Sequence, residues 1–297
     1  MPEPMSPGEL AKRVAVAAVG IPLALLLIFL GGWPLTVFLA VISGLAAREF
    51  YGLGAAREIR ALEKLGILGA VGLVLLAGAH LSFSGAAPWG MALLVTLLLS
   101  AAAGAIWVRW PGGNPMLAVP LTLAGALYTG GTLSFAVYLR HLPDFSEPLA
   151  RGGAFQGPLL LVLPLAVTWA SDSAAYFFGH AFGNRKLIPS VSPGKTVVGG
   201  MAGLLTAIFT GALIAGVFLQ LSPNPWLSLG LGAGMGLLLG VTAQMGDLVE
   251  SVLKREAGVK DSSDLLPGHG GILDRFDATF FTLPMAYGLL RLIEVLS

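Results

Sequence analysis

The 297-residue chain has no cysteine and little charge, and each shortage excludes a class of function. Without cysteine there is no disulfide, no thiolate metal site and no cysteine nucleophile, so redox chemistry says nothing about compartment. Only 11% of residues are charged, against about 25% in a typical soluble domain, while 56% are hydrophobic and the mean hydropathy is +0.83. An ordinary water-soluble globule is excluded. Net charge is scarce too: 17 Lys and Arg face 16 Asp and Glu, leaving +1. Such a chain has no global attraction for nucleic acid, which is not expected as a partner.

What is abundant is long apolar runs. A spanning helix needs roughly 20 apolar residues, and runs broken by Gly, Pro or charge predict nine spans, at about 14–31, 33–47, 66–84, 88–107, 117–139, 158–182, 197–221, 225–247 and 276–296. The expected fold class is an all-α polytopic membrane protein. Lys12 and Arg13 precede the first run as in a signal peptide, but Gly31-Gly32-Trp33-Pro34 offers no small-residue cleavage pattern, so the run reads as a retained helix. A cytoplasmic N-terminus leaves only Arg140, Arg151 and Arg291 outside and the other fourteen of the 17 basic residues inside, as the positive-inside bias requires. Residues 48–64 read as a charged cytoplasmic loop, with an interfacial helix as the alternative. The chain divides into an N-terminal region, 1–140, with about five spans, and 141–297, with about four spans and the chemistry. Most of the 41 glycines are explained by close helix packing in lipid.

One third of the charge is crowded into a tenth of the chain: Asp247 to Asp277 holds eleven of 33 charged residues. Asp247, Glu250, Ser251 and Lys254 share one helical face, and Asp274 and Asp277 repeat the three-residue spacing at the start of the next span. Two carboxylate pairs from adjacent helices can converge on a cation, and hard oxygen ligands suit Mg²⁺ held together with phosphates. Between them the glycines of Leu266-Pro267-Gly268-His269-Gly270-Gly271-Ile272 let backbone N–H groups approach a phosphate, and a helix starting near Leu273 aims its positive end there. A lone loop histidine such as His269 is a weak signal. Asp172 lies inside the sixth span, about ten residues or ~15 Å from its cytoplasmic end, and an ionisable group at that depth marks a candidate site. The loop 183–196 adds Arg185, Lys186 and Lys195 around a Ser192-Pro193-Gly194 turn ending at Thr196. It is not a phosphate loop, because Ser190 stands where the first glycine belongs.

These residues resemble the phosphatidate cytidylyltransferases, or CDP-diacylglycerol synthases, whose signature runs Ser-x-x-Lys-Arg, Lys-Asp, Pro-x-His-Gly-Gly and Asp-Arg-x-Asp. Every fixed position is filled between Ser251 and Asp277, and GDLVES at 246–251, SDSAAYFFG around Asp172 and SPGKT at 192–196 fit as well. The resemblance covers about 165–280 closely. It implies transfer of the cytidylyl group of CTP to phosphatidic acid within the cell (inner) membrane, at a site on the cytoplasmic side, with Mg²⁺ as cofactor, a second, monovalent cation as a candidate, and a homodimer as a candidate assembly. Asp247, Asp274 and Asp277 are then the metal ligands, with Asp172 reaching a second cation, and Lys195 joins them as catalytic. Lys254, Arg255 and Arg275 hold phosphates, and Ser192, Thr196, Lys260, His269, Gly270 and Gly271 complete the substrate-binding set. Val198 departs from relatives that carry Glu or Gln there. An ion-coupled transporter and a CDP-alcohol phosphotransferase are the competing classes.

Overall fold

The apolar runs become helical rods. The computed structural model describes residues 7–142, 153–221, 228–266, 268 and 270–296, with side chains from Ala18 onward except at 153–154 and 221. In chain order the helices are α1 (Pro7–Leu30), α2 (Gly32–Ala55), α3 (Glu63–His80), α4 (Phe83–Val108), α5 (Pro115–Ala126), α6 (Thr132–Arg140), α7 (Gly153–Phe182), α8 (Val197–Leu221), α9 (Leu229–Ala257) and α10 (Leu273–Leu296). A π-helical turn at Leu127–Gly131 joins α5 to α6, so Pro115–Arg140 forms one rod. Among the described residues, eight rods are long and apolar enough to cross a membrane, and α1 adds a shorter apolar stretch at Ala18–Leu30. The protein is a multi-pass, all-α membrane protein.

Two boundaries differ from the sequence reading in ways that matter. α2 continues two turns past the run at 33–47, through Arg48 and Glu49 to Ala55, so only 56–62 of the expected loop is non-helical. A carboxylate that ends an apolar run in sequence is tolerated in this helix because it is buried against partners described below. α9 likewise runs ten residues past 247 to Ala257, where Gly258 closes it in the left-handed conformation (φ 76°), its N–H bonding back to Lys254 and Arg255 carbonyls. The basic loop at 183–196 folds as a hairpin of β1 (Lys186–Ile188) and β2 (Ser192–Thr196), antiparallel, with Lys186 opposite Thr196.

The main hydrophobic core runs from Ile28 in α1 to Leu290 in α10, and a small second cluster joins Leu62, Ala101, Ala105 and Ala118. Long-range bonds fix which helix ends lie together. At one end, Arg109 donates to the Arg60 and Ala61 carbonyls (2.6 and 2.7 Å), and Glu49 of α2 meets the start of α10. At the other, Arg140 donates to the Ile28 and Phe29 carbonyls at the end of α1 (2.7 and 2.8 Å). The first end also carries the end of α7, the hairpin, the end of α9 and the start of α10. It carries the acidic cluster, Lys195 of the hairpin and Arg109.

Candidate active site

The site forms where α9 ends, α10 begins and the hairpin folds over both. α9 and α10 touch at Gly246, where a Cβ would lie 2.8 Å from the Asp277 carbonyl oxygen, and this contact sets Asp247 beside the first turn of α10. Lys195 of the hairpin reaches across to Asp247, with Nζ 2.7 Å from Oδ2; both side chains are partly open to the exterior. Ser251, one turn on, leans on the other Asp247 oxygen at 3.4 Å, so the face expected from the spacing exists. Asp277 bonds the N–H of Ala278 (2.6 Å) and lies within electrostatic range of Asp247, Asp172 and Lys254. Asp172, on α7, is exposed and in range of Asp247 and Lys195. The structure therefore brings Asp172, Asp247, Asp277 and Lys195 to one place.

Asp274 stands differently. Its Oδ1 is 2.6 Å from Nζ of Lys254, and its Oδ2 accepts from the Ser262 N–H, the Ser262 hydroxyl and the Gly271 N–H, each at 2.8 Å. Both oxygens are committed to protein donors. Lys254, nearly buried, bridges Asp274 to Glu250 (2.6 Å), so its charge is spent on carboxylates and not on a phosphate. Glu250 is fully buried, and its Oε1 has no hydrogen-bond partner among the described residues. Arg255 turns outward to the carbonyls of Val191 (3.4 Å) and Val259 (3.0 Å), tying the hairpin tip to the end of α9. Thr196 is buried, and its hydroxyl accepts the Gly199 N–H (3.1 Å) as the N-cap of α8, a structural duty in place of the expected ligand contact.

Lys260 and Arg275 are exposed and make no ion pair among the described residues, and Ser192 sits half-buried on the hairpin. Gly270 holds φ 74°, as a tight turn needs. His269 lies outside the described residues.

α10 does start at Leu273, but its positive end is already filled. Glu49 of α2 accepts from the Ile272 N–H (3.1 Å), the Leu273 N–H (2.7 Å), the Ser262 hydroxyl (3.0 Å) and the Ser263 hydroxyl (2.6 Å). With Gly271 bonded to Asp274, the three amides expected to face a phosphate point at carboxylates of the protein itself. Sequence reasoning missed Glu49. The signal was present: Ile42, Ala46, Glu49 and Leu53 fall on one buried stripe of α2, where a carboxylate needs partners.

The chain matches the Cytidylyltransferase family over residues 11–293. It belongs to that family. It is 34% identical to a phosphatidate cytidylyltransferase of Synechocystis sp. over 293 residues, 93% of this chain and 94% of that protein. The corresponding protein of Bacillus subtilis is 33% identical, covering 96% of this chain and 99% of its own length. An uncharacterised Escherichia coli protein, YnbB, is 38% identical over 190 residues, 64% of this chain and 59% of its own. The chain is thus a CTP-dependent nucleotidyltransferase of phospholipid synthesis by family, and the transporter and CDP-alcohol phosphotransferase readings fall away.

Proposed function

We propose that this family member joins CTP to phosphatidic acid at the cluster of Asp172, Asp247, Asp277 and Lys195, forming CDP-diacylglycerol and releasing pyrophosphate. The observation that carries the reading is the placement of three carboxylates and a lysine at one lip of a membrane bundle. In the reaction a phosphate oxygen of phosphatidic acid attacks the α-phosphorus of CTP, a new P–O bond forms, and the bond to pyrophosphate breaks. The attacking oxygen is already anionic, so no strong base is needed; the work is alignment and charge neutralisation.

The donor set suits Mg²⁺. Asp247, Asp277 and Asp172 are hard oxygens with one lysine among them, and among the described residues no three acids or histidines gather closely enough to cage a metal. Mg²⁺ is commonly bound by one or two carboxylates plus substrate phosphates. Bound there, it would neutralise charge on the triphosphate and polarise the α-phosphorus. Asp172, deepest of the three, is the candidate for a second, monovalent cation. Lys195 can pass from Asp247 to a phosphate, and Lys260, Arg275 and Ser192 line the approach.

The N-terminus is assigned to the cytoplasm of a bacterial inner membrane, which puts the lip on the side where CTP is found, with catalysis in 141–297. Pyrophosphate release by the purified protein, dependent on both CTP and phosphatidic acid, tests the reaction. A folded preparation that released no pyrophosphate with both present would overturn it, and a cytoplasmic signal from a reporter fused after Ser297 would overturn the orientation.

A further inference from the structure

We infer that Glu49 is a positioning residue for this active site: a carboxylate from the N-terminal half that holds Ser262, Ser263, Ile272 and the first turn of α10 in working register. The effect on catalysis rests on the proposed site; the dependence of Ser262, Ser263, Ile272 and Leu273 on Glu49 does not.

Glu49 is buried, 7% exposed, and each of its oxygens accepts one backbone N–H and one serine hydroxyl. Four donors converge on one acceptor from a helix more than 200 residues away in sequence. Two of those donors, Ile272 and Leu273, open the helix that carries Asp274 and Asp277 in its first turns. The other two, Ser262 and Ser263, start the loop, and Ser262 also binds Asp274. Gly271 is squeezed between: an added Cβ would run into the Ser262 hydroxyl and the Glu49 carboxylate. The negative charge sits at the positive end of α10, where a free helix end would otherwise attract an anion. Glu49 therefore does two things. It fixes the azimuth of α10, on which the direction of Asp277 depends, and it occupies the positive end of that helix, which is then closed to a substrate phosphate.

Glutamine is the informative substitution. Its amide nitrogen would confront a backbone N–H that needs an acceptor, while size and polarity stay the same. Hydrogen exchange on purified protein without nucleotide or metal reads the loop directly. In Glu49→Gln the amides of 271–273 are expected to exchange at least about tenfold faster than in the parent, with the interiors of α2 and α10 still protected. Turnover should fall about 10- to 100-fold and the Mg²⁺ concentration for half-maximal rate should rise. Ser263→Ala removes one donor of four and should give a smaller change of the same kind. Tyr51→Phe, which deletes the bond from the Tyr51 hydroxyl to the Thr122 carbonyl two residues along α2, is a control for general damage to that helix and should stay within about threefold of the parent. A folded Glu49→Gln with parental exchange, turnover and Mg²⁺ dependence would overturn the inference. Should Glu49→Gln fail to fold, parental exchange and turnover in Ser263→Ala would do so. If the parent released no pyrophosphate, the reaction would be wrong, while the exchange data would still decide what Glu49 holds.

Discussion

Four aspartates from three helices, α7, α9 and α10, meet at one end of the bundle, yet their surroundings assign them different work. Asp247 is partly open to the exterior, Asp172 is exposed, and Asp277 has one oxygen bonded to the Ala278 N–H and, among the described residues, no lysine or arginine on it. Asp247→Asn, Asp277→Asn and Asp172→Asn should each lower turnover at least about 100-fold, the order of loss when a group stabilising transition-state charge is removed. The melting temperature should move little. Asp274→Asn should lose activity and also about 3 kcal/mol of stability, because Lys254 loses a charged partner and the new amide NH2 meets either Lys254 or the Ser262 and Gly271 donors in a closed place. Turnover and melting temperature, measured side by side, separate the two behaviours, and an active, unfolded-looking Asp247→Asn would reverse the roles. Lys195→Ala should lose most of kcat/KM, with Arg a poor substitute, since a planar guanidinium cannot reproduce a compact ammonium 2.7 Å from Asp247. Parental kinetics in both variants would reduce Lys195 to a topology signal.

Among the elements, the α9–α10 contact controls the site most directly. Gly246→Ala places a methyl 2.8 Å from the Asp277 carbonyl oxygen and 3.0 Å from the Ala278 Cα, so the helices must part beside Asp247 and Asp277 of the proposed site. Turnover is expected to drop about tenfold or more with insertion unaffected, because small misplacements of reacting groups are costly; an unchanged rate would show that the contact is slack. This is also where sequence and structure can be compared fairly. The face of Asp247, Ser251 and Lys254 was legible because helical spacing is local, and eight apolar spans were legible because hydropathy is. The partners of Asp274, the capping duty of Thr196 and the outward turn of Arg255 were not. Each depends on which donor a distant segment brings, and no local period encodes that. Glu49 is the extreme case: beside Arg48, at the end of an apolar run, it reads as the first residue of a charged loop, and only the arrival of Ile272 and Leu273 makes it a buried acceptor.

On the scale of the molecule, the two ends answer to different chemistry. At the end away from the site, His141 accepts the Gly32 N–H at Nε2 (3.2 Å) and contacts the Val137 carbonyl through Nδ1 (2.9 Å), an arrangement that requires the neutral ring. Burial, with Arg140 nearby, lowers its pKa from the ordinary 6.5. A depressed value means that this contribution to stability is intact above about pH 6.5 and declines as pH falls toward the folded-state pKa, because the unfolded chain takes up the proton first. The melting temperature should therefore fall on going from pH 7 to pH 5, and less so in His141→Gln, which can keep both bonds without charging. Equal slopes in the two proteins would show that other groups govern the acid limb.

The exposure of Asp172 on α7 carries a kinetic consequence. With Asp172 exposed on a spanning helix, the proposed site takes one substrate from a two-dimensional solvent and the other from a three-dimensional one. For phosphatidic acid the effective concentration is then its mole fraction in the surrounding micelle or bilayer, not its amount per volume. Adding inert detergent at fixed total phosphatidic acid should slow the reaction in proportion to the dilution of the surface, while the apparent KM for CTP stays put. A rate that ignored surface dilution and followed bulk lipid concentration would mean that phosphatidic acid reaches Asp172 through water.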